Sequence, residues 1–277
     1  MQIGPRTRLI ALLGEPVEHS LSPRFQNAAF RAEGLDAVYV ALECDPSSFA
    51  GLLTGIVGAG GAGNVTVPHK RRAAELVEDP TGIVRRTGAC NTYWGEGGRV
   101  MGDNTDVEGF SAAARQLIGA PAGARALVLG AGGAARAVVV ALLDDRADAI
   151  HVFNRSAAPA ESLRQGLDPR GRRVAVIGAA EALRREGYDL VINATPLGLR
   201  PDDPLPLRFD AVGRIGAALD LVYRPGATAW IAEARRRGIP AGDGTEMLLQ
   251  QGAASFRCWF GREPPLEAMR SALAHEG

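Results

Sequence analysis

Arg125-Ala-Leu-Val-Leu-Gly-Ala-Gly-Gly-Ala-Ala-Arg-Ala-Val-Val-Val-Ala-Leu-Leu143 is the stretch whose reading decides the fold. Ala126 to Leu129 is an apolar run suited to a short buried strand. Gly130, Gly132 and Gly133 then make a turn, and Ala134 to Leu143 continues as a helix. A bound diphosphate requires this order. Gly130 allows the tight turn, Gly132 lets the backbone approach the phosphates with no Cβ in the way, and Ala135 takes the third small position, where the helix packs on the strand. The free N–H groups and positive end of the helix then face the anion. A glycine-rich turn alone is equally an ordinary strand-to-helix connection, so the weight falls on the βαβ punctuation around it.

Downstream, that punctuation continues. Ala149 to Phe153 reads as the second strand and ends in Asn154-Arg155-Ser156. NAD-binding proteins usually place a carboxylate here to accept from the adenosine ribose hydroxyls. This chain has an arginine instead, and a cation suits a 2′-phosphate, so NADP(H) is favoured over NAD(H). Strand Val174–Ile177, helix Ala179–Glu186, strand Leu190–Ala194 and strand Ala217–Val222 continue the winding. Thr228 caps a helix that reaches Arg237 and is stopped by Gly238.

Upstream, residues 1 to about 105 read as a separate α/β unit. Strand Leu9–Leu13 leads to His19-Ser-Leu-Ser-Pro23 and a helix from Arg24 to Glu33. Ser22-Pro23 has the form of an N-cap followed by proline at the first helical position. Ser20 is left over from that account, and in an extended segment residues two apart point the same way, so the pair offers two hydroxyls to one polar ligand. Strand Ala37–Cys44 precedes a helix capped by Asp45-Pro46. The run Gly58-Ala-Gly-Gly-Ala-Gly63 is a loop rather than a second phosphate cradle, because a strand, Asn64–Val67, follows it. Pro68-His69-Lys70 then opens a helix ending near Glu78. A lysine in a first turn opposes the helix dipole, which leaves room for a role beyond solvation. Thr87–Trp94 and Arg99–Thr105 read as strands of a hairpin, and Asp103 or Asp106 is placed to cap the helix Val107–Ile118. In the last long helix, Glu246–Phe260, Gln251 interrupts an apolar stripe of Met247, Ala254 and Cys258, and a buried amide there needs a hydrogen-bond partner from backbone or ligand.

Composition narrows the function class. The chain has 277 residues with 46% hydrophobic, enough for two cores, and 31 basic against 31 acidic residues. That balance points away from nucleic acid and acidic membranes. The cysteines, Cys44, Cys90 and Cys258, are odd in number and far apart, as suits a reducing compartment, and no metal-ligand spacing is present. Leu9–Leu13 is too short for a signal or membrane segment. The expected location is the cytoplasm, and the Asn-x-Ser/Thr matches at Asn64, Asn154 and Asn193 are discounted as glycosylation sites.

Taken together, His-Ser-Leu-Ser-Pro, Asn-Val-Thr-Val-Pro-His-Lys, Gly-Ala-Cys-Asn-Thr, Asp-Asn-Thr-Asp, Gly-Ala-Gly-Gly-Ala, Asn-Arg-Ser, Ile-Asn-Ala-Thr-Pro, Asp-Leu-Val-Tyr-Arg-Pro and Met-Leu-Leu-Gln-Gln-Gly occur in this order along the chain. In them the chain resembles the shikimate dehydrogenases over essentially its whole length. The resemblance implies reversible NADPH-dependent reduction of 3-dehydroshikimate to shikimate. It places the catalytic pair at Lys70 and Asp106, and substrate contacts at Ser20, Ser22, Thr66, Asn91, Tyr223 and Gln251. Cofactor contacts fall on Gly130, Ala131, Gly132, Gly133, Ala134, Asn154, Arg155, Ser156, Leu221 and Gly244. Such a set of neutral hydroxyls and amides suits a substrate with one carboxylate and several ring hydroxyls.

The implied architecture is α/β. An N-terminal substrate domain, residues 1–105 completed by returning C-terminal helices at 245–277, accompanies a Rossmann-like doubly wound parallel-sheet domain at 106–244. The expected partner is a small molecule, with no nucleic acid or membrane, and a homodimer is the assembly considered. The chain departs from the family pattern in three places: Pro159 stands where many NADP-using members have a second arginine, Glu246 where many have glycine, and Pro196 where serine is common. The nearest rival is a quinate/shikimate dehydrogenase using NAD(H). A non-catalytic ligand-binding relative is disfavoured, because it would be expected to lose the lysine or the aspartate.

Overall fold

The computed structural model describes residues 3–178, 187–224 and 226–274; the helix expected at 179–186 lies outside the described residues. The chain divides into two units, Met1–Thr105 with Leu248–Gly277, and Asp106–Met247.

The first unit is built on a mixed sheet of β1 (Arg8–Gly14), β2 (Ala37–Glu43), β3 (Ala62–Val65), β4 (Asp79–Pro80), β5 (Thr92–Glu96) and β6 (Arg99–Asp103), in the order β2-β1-β3-β5-β6-β4. β1 runs parallel to both β2 and β3, with Leu12 opposite Ala41 on one side and Asn64 on the other. The hairpin β5–β6 turns the sheet antiparallel. Leu13, Phe49, Leu53, Val65, Ala73, Val84 and Tyr93 form one core cluster. The unit's other helices are α1 (Ser22–Ala32), α2 (Phe49–Gly58), α3 (Lys70–Leu76) and α4 (Gly82–Thr87). Phe30 of α1 meets Phe256 and Phe260 at centroid distances of 6.2 and 5.4 Å, and Arg8 donates to the Trp259 carbonyl at 2.9 Å. These contacts fix the C-terminal part of the long helix.

Several expected boundaries shift. Thr87, expected in a strand, ends α4, whose cap Thr81 accepts from Val84 N at 3.3 Å. That short helix and β4 were hidden because neither is long enough to show a period. Asp45 does not cap α2 directly: its Oδ1 accepts from the backbone N–H groups of Ser47 and Ser48, and α2 starts after Ser48. The strand expected at Asn64–Val67 lies at Ala62–Val65, because Thr66 onward turns into α3.

The second unit contains α5 (Asp106–Ile118), β7 (Arg125–Leu129), α6 (Gly133–Asp144), β8 (Ala149–Phe153), α7 (Ala157–Leu167), β9 (Val174–Ile177), β10 (Tyr188–Asn193), β11 (Ile215–Asp220), α8 (Ala229–Arg236) and β12 (Ala241–Gly242). All its strand pairs are parallel, in the order β12-β11-β10-β7-β8-β9. Counted from β7, this is the 3-2-1-4-5-6 order of the dinucleotide-binding fold, and its order reverses between β7 and β10. Ala126 to Leu129 and Val138 to Leu142 are all fully buried or nearly so, as a strand and helix inside a doubly wound sheet must be. Thr228 caps α8 by accepting from Ile231 N, and Gly238 takes the left-handed φ of +71° beyond its end. Helix α9 (Thr245–Phe260) begins in the second unit and continues into the first, where α10 (Leu266–Ala274) follows it.

Candidate active site

In the first unit the segment Asn64–Lys70 is tied to the end of β1. Thr66 N donates to the Leu13 carbonyl and Glu15 N to the Val67 carbonyl, each at 2.9 Å. Glycine at position 14 admits the threonine: a Cβ there would stand 2.2 Å from Thr66 Cγ2. One residue before Lys70, the buried His69 ring stacks on Phe49 with centroids 4.5 Å apart and places Nε2 2.8 Å from the Cys44 carbonyl. Lys70 is the first residue of α3, and its carbonyl accepts from Cys90 N at 2.8 Å. Two motifs remote in sequence are thereby joined, because Asn91 follows directly.

Asn91 is buried, and its Oδ1 accepts from Thr105 N at 2.8 Å and from the hydroxyls of Thr105 and Thr92 at 3.1 Å each. Gln251 on α9 is also buried; its Nε2 donates to the Leu248 carbonyl at 3.0 Å, so a backbone partner exists for this amide. Cys90 is a packing residue: burial pushes its thiol up to about 12, far from the reactive range.

The serine pair needs a correction. Leu21 has α-helical dihedrals and is the N-cap of α1, so Ser22 is the first helical residue and makes no cap bond. Ser20 Oγ instead accepts from Ser22 N at 3.3 Å. The extended geometry that would align the two hydroxyls is therefore absent, although Ser22 is buried and Ser20 partly so. The two aspartates also separate. Asp103 is committed to Thr81 Oγ1 at 2.6 Å and Asn104 N at 2.8 Å. Asp106, buried, opens α5 rather than standing before it as a cap.

In the second unit the glycine turn lies at the carboxyl end of β7. Gly130 has φ +104°, and a Cβ there would come within 2.9 Å of the Ala194 carbonyl oxygen, so the close passage of β10's end excludes a side chain. Gly132 is the N-cap of α6 with no side-chain cap bond. A Cβ on Gly132 or Gly133 would meet nothing within 4 Å. Those glycines face open space at a helix start whose N–H groups take no side-chain cap, and the arrangement fits a diphosphate. Ala131 and Ala134 flank it, and Ala135 is fully buried. Gly130 N donates to the Phe153 carbonyl at 2.8 Å, which brings the turn beside Asn154-Arg155-Ser156. Asn154 Nδ2 donates to the Ser156 carbonyl at 2.8 Å, and Arg155 and Ser156 are exposed at the start of α7.

Gly244 has its own reason to be glycine. A Cβ there would stand 2.3 Å from the Leu221 carbonyl oxygen, and its N–H donates to the Val222 carbonyl at 3.1 Å. Leu221, Tyr223 and Gly244 thus share one tightly packed loop pair, with the Tyr223 phenol pushed above its usual range by burial.

The residue that sequence reading missed here is Asp220. Fully buried, it accepts from Asn193 Nδ2 at 2.8 Å, Val222 N at 3.0 Å and Thr228 Oγ1 at 2.7 Å. It locks the ends of β10 and β11 together. An acid in the apolar run Ala217–Val222 was the available signal, since a buried charge demands partners. Asn64, Thr92, Thr105 and Ser255 were missed in the first unit for want of any local period.

Three family models match the chain: the shikimate dehydrogenase substrate binding domain over residues 12–93, shikimate/quinate 5-dehydrogenase over 112–197, and the shikimate 5′-dehydrogenase C-terminal domain over 244–274. A shikimate dehydrogenase (NADP(+)) of Rubrobacter xylanophilus is 44% identical over 100% of this chain and 99% of its own. The solved shikimate dehydrogenase of Aquifex aeolicus superposes with a TM-score of 0.91 at 33% identity, covering 99% of this chain and 100% of its own. The shikimate 5-dehydrogenase of Thermus thermophilus, in complex with NADP(H) and shikimate, gives 0.85 at 36% identity, covering 96% and 98%. With this coverage in sequence and in fold, the chain belongs to the shikimate dehydrogenase family.

Proposed function

We propose that the chain is an NADP-dependent shikimate dehydrogenase, reversibly reducing 3-dehydroshikimate to shikimate. The observation that carries the reading is the hydrogen bond from Cys90 N to the Lys70 carbonyl. It joins the Lys70 segment to the Cys90-Asn91 segment, in a unit that also supplies Ser20, Ser22, Thr66 and Gln251. Glycines 130, 132 and 133, with Ala131 and Ala134, would hold the cofactor diphosphate. Asn154, Arg155 and Ser156 would meet its adenosine phosphate, and Leu221 and Gly244 its nicotinamide end. The cofactor, when bound, supplies the hydride.

The chain's own residues handle charge and proton. Hydride addition to a ketone carbon leaves negative charge on oxygen, and the Lys70 ammonium stabilises that charge and delivers the proton. Asp106 orients the lysine and a substrate hydroxyl. Asn91, Thr66, Gln251 and the two serines bind neutral hydroxyls and the carboxylate without adding charge, and Tyr223 lines the substrate's site.

The test is to follow reduced-cofactor absorbance with shikimate and with quinate, each against NADP and NAD. Shikimate with NADP should give the highest kcat/KM. A quinate or NAD preference would sink the assignment.

A further inference from the structure

Helix α9 carries a glycine in its middle turns, and the reason lies on α1. A Cβ on Gly252 would stand 2.3 and 2.6 Å from Cε2 and Cζ of the Phe25 ring and 3.1 Å from Gln26 Nε2. The two helices therefore meet with no room for a methyl group. Gln26 is fully buried, and its Nε2 donates to the Gly252 carbonyl at 2.9 Å. Four residues further along each helix, Phe30 meets Phe256 with ring centroids 6.2 Å apart, so α1 and α9 advance side by side in the same direction from this point.

This contact is poorly suited to stability. Glycine is among the least favourable residues in a helix interior. The Gly252 carbonyl lies inside the hydrogen-bond ladder of α9 and has no need of a second donor. Gln26 Oε1 is buried and meets no donor at all, and a buried polar atom left unpaired weakens the fold. An apolar side chain of the same length would avoid that loss. Location supplies the missing reason. Ser22 precedes Gln26 by four residues, so it lies one turn back on the same face of α1, and it is buried. Gln251, also buried, is the residue directly before Gly252. The reach of one amide side chain to one backbone carbonyl thus sets the separation of the helix segments that carry Ser22 and Gln251.

We infer that Gln26 is a positioning residue: its clasp on Gly252 fixes the spacing between Ser22 on α1 and Gln251 on α9, although it weakens the fold. The inference rests on the functional reading above, in which Ser22 and Gln251 contact substrate.

The experiment compares wild type with Gln26→Met and Gly252→Ala in steady-state kinetics and thermal denaturation. The first variant keeps the side-chain length and removes both polar atoms; the second adds a methyl that must push Phe25 aside. Wild-type turnover of shikimate with NADP is measured first; its absence overturns the functional reading and takes this inference with it. With an active wild type, Gln26→Met should keep or raise the Tm and yet raise the shikimate KM roughly three- to tenfold, the effect of about one displaced hydrogen bond, with the NADP KM unchanged. Gly252→Ala should raise the shikimate KM in the same way, although alanine is the better helix former. A lower Tm in Gln26→Met, or a chain that fails to fold, would make the contact a stability element and overturn the inference. So would equal rises in the two KM values, or a wild-type shikimate KM in either variant.

Discussion

Gly14 and Thr66 pack so closely that a Cβ on the glycine would stand 2.2 Å from the threonine Cγ2 methyl and 3.0 Å from the Val67 carbonyl oxygen. Gly14 ends β1 and Thr66 precedes the turn into α3, so the contact sets where the Lys70 segment leaves the sheet. Gly14→Ala should destabilise the protein by about 1–3 kcal/mol, the usual cost of overpacking. It should also raise the shikimate KM more than the NADP KM. Thermal denaturation and initial rates check this, and an alanine variant with wild-type Tm and kinetics would refute the packing argument.

Asp220 should leave a signature in stability against pH. Burial, the largest influence, raises its carboxyl above the ordinary value of 3.8 despite the hydrogen bonds from Thr228, Val222 and Asn193. The folded state therefore binds this proton more tightly than the unfolded chain. The contribution to stability is fully present below the unfolded pKa and is lost as pH rises through the folded one. Asp220→Asn lacks this term, so the Tm advantage of wild type over the variant should be largest near pH 4 and shrink toward neutrality. Asp220→Ala should be worse than Asn at every pH by about 1–3 kcal/mol, because Asn193 and Thr228 lose a buried partner. A wild-type advantage that grows with pH would reverse the assignment.

Cofactor choice is expected to rest on Arg155. It is exposed at the start of α7, and the position four residues on is Pro159, which brings no charge and no N–H. Arg155→Ala should erode the preference for NADP over NAD chiefly through the NADP KM, with kcat little changed. Comparable use of both cofactors by the wild-type enzyme would count against the arginine and implicate Pro159.

Lys70 and Asp106 are expected to act as one unit. General acid/base catalysis typically supplies about 10²- to 10⁴-fold, so Lys70→Ala should lower kcat by that order with a modest change in KM. Asp106→Asn should lower kcat comparably. The double variant should be little worse than either single one, as expected for groups that work together. A Lys70→Ala enzyme with near-normal kcat and a raised KM would make the lysine a substrate anchor instead, and two losses that multiply would dissolve the pair.

Much of this protein is determined by local sequence alone. The run Arg125–Leu143 specifies strand, turn and helix because an apolar strand buried on both faces, three glycines and an uninterrupted helical stretch leave one arrangement open. Thr228 and Gly238 mark the two ends of α8 by their own backbone chemistry, and Arg155 declares a charge preference wherever the strand before it ends. Other features depend on residues far apart in the chain. Ser22 looked like a cap, yet Leu21 turned helical and Ser20 took the Ser22 N–H, a choice of dihedral angle that no composition rule sees. Gly244 is glycine because Leu221 passes 2.3 Å from where its Cβ would be, and Gly14 because of Thr66. The polarity of Asn91 is set by Thr105, and Thr92 finds its partner Ser255 on a helix 163 residues further along the chain. Hydrophobic period and turn chemistry act over a few residues and are legible in order. Steric exclusion and hydrogen-bond direction act between whatever the fold brings within about 3 Å, and only the tertiary structure decides which residues those are.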